Sequence, residues 1–156
     1  MRSPTLLLSC ALFVFASTLS SQAKPAAQPT DLQWGPAPAV FPKGAEMAVV
    51  SGDPSKAAPF VVELRMPDGY RFPPHFHPTD ETVEVKQGTF LYGMGDVFDV
   101  AKTKPMKVGD KGSIPALMHH FATAQGPTIV AVSAMGPFAM TYINMADDPQ
   151  MHTSKP

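Results

Sequence analysis

Prolines and glycines recur so closely along this chain that long helices have little room to form. The sequence has 18 prolines and 11 glycines among 156 residues; proline interrupts helices and glycine favours turns. No window longer than one or two turns repeats apolar residues at the 3.6-residue helical spacing. Short apolar runs separated by turn residues occur instead. This pattern predicts an all-β fold, a sandwich or a small barrel.

The apolar runs have the spacing and composition of strands. Inward and outward side chains alternate from Phe60 to Met66, which is the two-residue period of a half-buried strand. Residues 82–92 are β-branched and aromatic but are interrupted by Gln87-Gly88, which predicts two strands joined by a hairpin turn. Residues 129–134 and 138–143 predict two further strands. A chain of this length buries enough surface for one core without disulfides.

The first 23 residues have the composition of a secretory signal peptide. Arg2 supplies a positive start, an apolar stretch follows, and Ser21-Gln22-Ala23 places small residues at a cleavage site. A membrane anchor is the weaker interpretation, because a span needs about 20 apolar residues. A lipoprotein acylated on Cys10 is also disfavoured, since Cys10 lies within the apolar stretch. We expect a secreted or periplasmic protein with no membrane span after cleavage.

The rest of the chain divides into three segments. Residues 24–45 form a Pro/Ala-rich arm that we expect to be extended and held by Trp34 and Phe41, residues 46–146 form the β-barrel domain, and residues 147–156 form a polar tail. The net charge is −1 and basic residues form no run, which excludes a nucleic-acid-binding footprint. The single cysteine excludes a disulfide framework and a Cys-rich zinc module.

Two histidine clusters carry the chemistry of the chain. His75 and His77 are two residues apart, so on a strand they point to one face. Glu81 has the same parity, and a bend at residues 78–80 can return it towards them. The pair His119-His120 can supply one more imidazole from a distant strand. Imidazole nitrogens with a carboxylate suit a borderline divalent ion; the alternative is a surface pair or a buried histidine bonded to a carbonyl.

The spacing of these residues resembles the two motifs of the cupins. The first motif is Gly, five residues, His-x-His, three or four residues, Glu, six residues, Gly, and it is matched throughout by Gly69, His75, His77, Glu81 and Gly88. The second is Gly, five residues, Pro-x-Gly, two residues, His, three residues, Asn, and it is matched by Gly109, Pro115 and His120. Leu117 replaces its inner glycine and Ala124 its asparagine. The resemblance covers about residues 46–145.

The resemblance implies a double-stranded β-helix, the jelly-roll barrel of the cupins. It implies that His75, His77, Glu81 and His120 bind one divalent metal ion (Mn, Fe, Zn, Ni or Cu) inside the barrel, with His119 pointing elsewhere. It also implies a homodimer. We expect that the 24–45 arm can cross to the partner in such a dimer.

Three functions are compatible with this resemblance. A metal-dependent enzyme of oxygenase, isomerase or decarboxylase type, acting on a small organic molecule, is favoured. The alternatives are a non-catalytic binding or sensing barrel with a structural metal, and a metal-free domain whose histidines are vestigial. Two residues are predicted to bind substrate, Arg71 and Tyr92. Arg71 shares the parity of His75 and can pair with a carboxylate; the alternative is a solvated Arg71, because Pro73-Pro74 can reset that parity. Tyr92 shares one strand face with Phe90 and Met94, and the sequence leaves open which face of this strand meets the metal.

Overall fold

The computed structural model describes residues 31–152. The predicted signal peptide and the first part of the arm lie outside this range. Nine strands occur within it: β1 Gly35–Pro36, β2 Glu46–Ser51, β3 Pro59–Met66, β4 Arg71–Phe76, β5 Glu81–Met94, β6 Lys104–Lys107, β7 Lys111–Ile114, β8 His120–Met135 and β9 Thr141–Tyr142. The only helices in the described range are short 3-10 turns at Val100–Lys102, Met145–Asp147 and Pro149–His152. None of these has the length and apolarity that crossing a membrane requires.

Two antiparallel layers share the long strands β5 and β8. In the first layer the order is β1-β2-β3, then the second half of β8, the first half of β5, and β7. In the second layer the order is β9-β4, then the first half of β8, the second half of β5, and β6. The inward side chains of both layers form one apolar core. The predicted all-β jelly-roll barrel is therefore confirmed.

The prediction of a hairpin at Gln87-Gly88 is wrong. Residues 81–94 form a single strand that stays paired with β8, and the register shifts around Gln87 and Gly88. Gly88 has a φ of 74°, a value that glycine adopts readily in a bulge as well as in a turn. The bulge bends β5 from the first layer into the second. The last predicted strand is also shorter than expected, since only Thr141 and Tyr142 pair with β4.

The described part of the arm, residues 31–45, packs on the barrel of its own chain. Phe41 is buried and its ring stacks on Phe138 with centroids 5.6 Å apart. Two tyrosine hydroxyls of the barrel donate to arm carbonyls, Tyr70 to Pro42 at 2.6 Å and Tyr142 to Val40 at 2.7 Å. These contacts place the Phe41 ring at one end of the barrel interior.

The loop before β8 keeps a left-handed backbone although its glycine is replaced. Leu117 has a φ of 62° and is the only non-glycine residue with positive φ among residues 31–152. Its amide donates to the carbonyl of His77 at 2.8 Å, and its side chain is exposed. Exposure removes the need to pack a branched side chain in this strained conformation. The loop therefore enters β8 at His120 with the geometry that a glycine would allow.

Candidate metal centre

Strand pairing brings the first and the last of the predicted ligands together. His75 on β4 lies directly opposite His120 on β8, and directly opposite residues of antiparallel strands project from the same face. Their ring centroids are 4.2 Å apart, and both side chains are buried. Two histidines separated by 45 positions in the chain thus become immediate neighbours in the barrel.

The turn between β4 and β5 adds the other two residues. The His77 ring lies 5.0 Å from that of His75 and 5.3 Å from that of His120. One ligand nitrogen from each of the three lies within 4.8 Å of the others. After the turn, Glu81 begins β5 and its carboxylate oxygens lie 3.3 Å from Nε2 of His77 and 3.4 Å from Nε2 of His120. All four predicted ligands therefore converge on one point.

The outer nitrogen of each imidazole is bonded to a backbone carbonyl. Nδ1 of His75 donates to Pro73 at 2.7 Å, Nδ1 of His77 donates to Ala139 at 2.8 Å, and Nδ1 of His120 donates to Met118 at 2.9 Å. A carbonyl only accepts, so the proton of each neutral ring sits on Nδ1. The three Nε2 lone pairs are then left facing one another and the carboxylate of Glu81. Carbonyls bonded to the distal nitrogen are the usual support for metal-binding histidines, and this donor set fits a divalent cation.

Burial of His75 and the imidazoles around Glu81 keep these two groups in the protonation states that a metal requires. Desolvation, reinforced by His120 and His77, lowers the pKa of His75 to about 3. Burial opposes ionisation of Glu81, but the neighbouring imidazoles of His120, His77 and His75 outweigh it, and the pKa of Glu81 falls below its ordinary value. At neutral pH His75 is thus neutral and Glu81 ionised, so a metal ion displaces no proton from either.

The four residues form part of the lining of a small, otherwise apolar cavity. Its volume is about 40 Å³. Besides the four, the cavity is lined by side chains that are apolar except for Tyr92: Phe41, Val62, Leu64, Phe72, Val83, Phe90, Tyr92, Ile114, Ala122, Val130, Val132, Phe138 and Met140. A metal bound here would have protein on most sides and little room for bulk water.

The two predicted substrate-binding residues are placed differently. Tyr92 lines the cavity, so its face of the strand is the one that turns inward. Arg71 does not: it is exposed, and its guanidinium lies 5.0 Å from the centre of the Phe98 ring. The register of β4 against β8 shifts between Phe72 and His75, so Pro73-Pro74 break the alternation that would have put Arg71 on the side of His75. The expected role of Arg71 is not supported by its position.

His119 points away from the cluster, as the resemblance implies. Its Nδ1 lies 2.6 Å from a carboxylate oxygen of Asp96, and its ring stacks on Phe76 with centroids 5.3 Å apart. It is half-exposed on the outside of the barrel. Of the two adjacent histidines, His120 is the one that meets His75 and His77.

Comparison with known proteins gives the fold a name. No family model matches the chain, and no curated protein matches it. Solved structures do. The polyketide cyclase RemF of Streptomyces resistomycificus is 20% identical, with a TM-score of 0.61 over 86% of this chain and 95% of that chain. An RmlC-like cupin from Shewanella frigidimarina is 15% identical, with a TM-score of 0.55 over 74% and 94%. This protein has the cupin fold.

A third cupin-fold neighbour is a putative acetylacetone dioxygenase from Methylibium petroleiphilum. It is 18% identical, with a TM-score of 0.59 over 85% of this chain and 90% of that chain. The structural neighbours of this chain thus include a polyketide cyclase and a putative dioxygenase as well as an RmlC-like cupin. At these identities the comparison establishes the architecture and leaves the chemistry to the residues of the site.

Sequence reasoning missed the parts of the site that lie outside the two motifs. The carbonyl of Ala139 orients His77 from 62 positions away, and Phe41, Phe138 and Met140 line the cavity beside the four predicted ligands. A backbone carbonyl carries no signal in the identity of its residue. The sequence signal for this part of the site is Phe41, one of the two arm aromatics that predict packing on the barrel.

The buried imidazole should make the metal-free protein sensitive to acid. The pKa of His75 is about 3 in the folded chain against an ordinary value of 6.5, so between these values the unfolded chain binds more protons and stability falls as pH falls. The lowered pKa of Glu81 adds a loss in the same direction below its ordinary value of 4.5. From about pH 7 to about pH 4.5 we expect the His75 contribution to cost about 2–3 kcal/mol.

Urea denaturation of chelator-treated protein at the two pH values measures this loss. His75→Gln should reduce the pH dependence of the free energy of unfolding. His119→Gln, a change on the exposed face, should leave that pH dependence unchanged. An equal pH dependence in wild type and His75→Gln would show that other groups cause the acid sensitivity.

Proposed function

We propose that this protein is a single-domain cupin that binds one divalent metal ion through His75, His77, Glu81 and His120 and acts as a metal-dependent enzyme on a small organic molecule. The observation that carries the proposal is the shared orientation of the imidazoles. All three Nδ1 atoms are bonded to carbonyls, so three Nε2 lone pairs and one carboxylate are directed at one buried point. A structural histidine needs no such arrangement.

The reaction type is that of an oxygenase, an isomerase or a decarboxylase. When bound, the metal would supply Lewis-acid or redox chemistry at coordination positions that the four side chains leave open. The chain supplies the surroundings. Its apolar wall excludes water, which strengthens electrostatic interactions inside, and the hydroxyl of Tyr92 is the one polar group of the lining besides the ligands. Tyr92 is therefore the residue that we propose donates a hydrogen bond to a bound substrate.

A non-catalytic ligand-binding or sensing barrel is the second candidate. The observation in its favour is the same lining, which offers no acid or base other than the ligands and Tyr92. The two candidates differ in turnover: an enzyme consumes a screened substrate and loses that activity when the metal is removed, whereas a sensor binds without consuming. Full turnover by metal-free protein would end the enzyme proposal.

The metal site is tested by elemental analysis of purified variants. Wild type should hold one equivalent of a divalent metal (Mn, Fe, Zn, Ni or Cu), and His120→Ala and Glu81→Ala should each lose most of it, because each removes a ligand from a buried four-residue set. His119→Ala is the matched control. It deletes the adjacent imidazole, which faces the outside of the barrel, and should keep the full equivalent.

Two results would contradict the site. If His119→Ala lost the metal and His120→Ala kept it, the ligand would be His119 on the outer face of the barrel and not His120. Wild type without metal after reconstitution would favour a metal-free domain. Circular dichroism of each variant separates ligand loss from unfolding.

Export and assembly are further parts of the proposal. The sequence of residues 1–23 supports a secretory signal and thus a secreted or periplasmic location. A homodimer is also proposed, and light scattering that shows only monomer would remove it.

A further inference from the structure

The cavity beside the proposed metal site selects its ligand by charge, polarity and size. We infer that it takes a compact monoanion with a hydrocarbon body, in which one carboxylate or enolate head reaches the metal and a tail of a few carbons fills the apolar end. This inference rests on the proposed function. It adds a substrate class to a site whose ligands alone do not define one.

The charge of the site sets the charge of the head. Three neutral imidazoles, one carboxylate and a divalent ion leave a net charge of +1. Among residues 31–152, no lysine or arginine lines the cavity. One negative charge is therefore compensated on binding, whereas a second would be buried without a partner at a cost of several kcal/mol. The exposed position of Arg71, over the Phe98 ring, removes the one cation that the sequence offered for a second carboxylate.

The lining sets the polarity of the tail. Apart from the proposed ligands and the hydroxyl of Tyr92, every lining side chain is apolar. A hydroxyl group on the tail would lose its water and gain no partner, which costs about 1–3 kcal/mol in proteins. Polyhydroxylated acids are therefore excluded by the same walls that accept a hydrocarbon chain.

The volume sets the length of the tail. The cavity measures about 40 Å³, whereas a dry cavity of about 150 Å³ accommodates benzene. A longer tail must displace part of the wall. Among the lining residues only Tyr92, Phe138 and Met140 are partly exposed, so any path from solvent passes beside them.

Met140 is the residue of the cavity wall that limits the length of the ligand's hydrocarbon tail. Phe138 is held by stacking on Phe41 at 5.6 Å and by an edge contact with Phe60 at 6.2 Å. Met140 has an unbranched side chain that adapts its shape readily. The carbonyl of its neighbour Ala139 accepts a hydrogen bond from Nδ1 of His77, which fixes the backbone of this segment against the site. Shortening Met140 therefore enlarges the cavity without moving a proposed ligand.

The test is a titration of Co²⁺-loaded protein with carboxylates, followed by the visible spectrum of the metal. Propionate should bind at least about tenfold more tightly than malonate and glycerate, because malonate adds a second carboxylate and glycerate adds two hydroxyl groups, none of which has a partner in the cavity. Malonate chelates free Co²⁺ better than propionate does, so this order is the reverse of the one that the metal alone would produce.

A second comparison tests the wall. Met140→Ala should shift the preferred chain length from propionate towards hexanoate, and Met145→Ala, an exposed methionine outside the cavity, should not. Binding of malonate or glycerate as tight as that of propionate would overturn the ligand class while leaving the metal site in place. An unchanged length preference in Met140→Ala would overturn the assignment of the wall. Failure of Co²⁺ to bind at all would instead overturn the proposed function.

Discussion

Gly88→Ala should lower the free energy of unfolding by about 3 kcal/mol, the sum of backbone strain and steric overlap. Gly88 has a φ of 74°, and a Cβ there would lie 2.5 Å from the carbonyl oxygen of Pro127 and 3.0 Å from Cα of Thr128. Both are backbone atoms of β8, so neither moves without disturbing the pairing of the two longest strands. Urea denaturation measures the loss directly.

Gly69→Ala is the matched control for this substitution. Gly69 is the other glycine of the first motif and has nearly the same φ, 72°, but a Cβ added there would meet no atom within 4 Å. Its replacement should cost only about 1 kcal/mol, the strain of the left-handed conformation. The gain from a stiffer unfolded chain is the same in both variants and cancels. Equal losses would show that the bulge absorbs the added methyl group without cost.

Gly88 also shows why the sequence alone did not predict the path of β5. Gln87-Gly88 between two β-type runs predicts a hairpin turn, because a glycine of positive φ serves a two-residue turn well. The same backbone conformation serves a bulge. The choice depends on β8, whose residues 125–130 pair across the break and lie some 40 positions later in the chain. The local pattern predicts a positive φ at Gly88. It does not show that pairing with β8 makes this residue part of a bulge and not of a hairpin turn.

The sequence predicts the proposed ligands because residue parity and motif spacing can be recognised within two short segments. Parity placed His75 and His77 together, and the motif spacing selected His120 over His119, in agreement with the pairing of His75 with His120. Parity failed for Arg71, because Pro73-Pro74 shift the register of β4. The alternation of side chains is thus informative only up to the next irregularity, and proline is a residue that produces one.

The binding of Zn²⁺ should stabilise the metal-free protein by about 4 kcal/mol when free metal exceeds the dissociation constant a thousandfold. In a domain of this size the melting temperature should then rise on the order of 10 °C. The physical reason is that the four proposed ligands come from β4, the following turn, β5 and β8, and so meet only in the folded chain. Thermal denaturation followed by circular dichroism, with and without Zn²⁺, measures the shift.

Two variants make this result specific to the proposed site. His120→Ala should abolish most of the shift, because the remaining three residues lose the ligand that joins β8 to β4. His119→Ala should retain the shift in melting temperature. This result would exclude Zn²⁺ bound between His119 and Asp96 on the outside of the barrel, where Nδ1 and Oδ1 lie 2.6 Å apart. Any affinity of the unfolded chain for Zn²⁺ reduces the shift in all three proteins alike. An equal shift in wild type and His120→Ala would therefore mean that the stabilising metal binds elsewhere, and the buried histidines would then require another explanation.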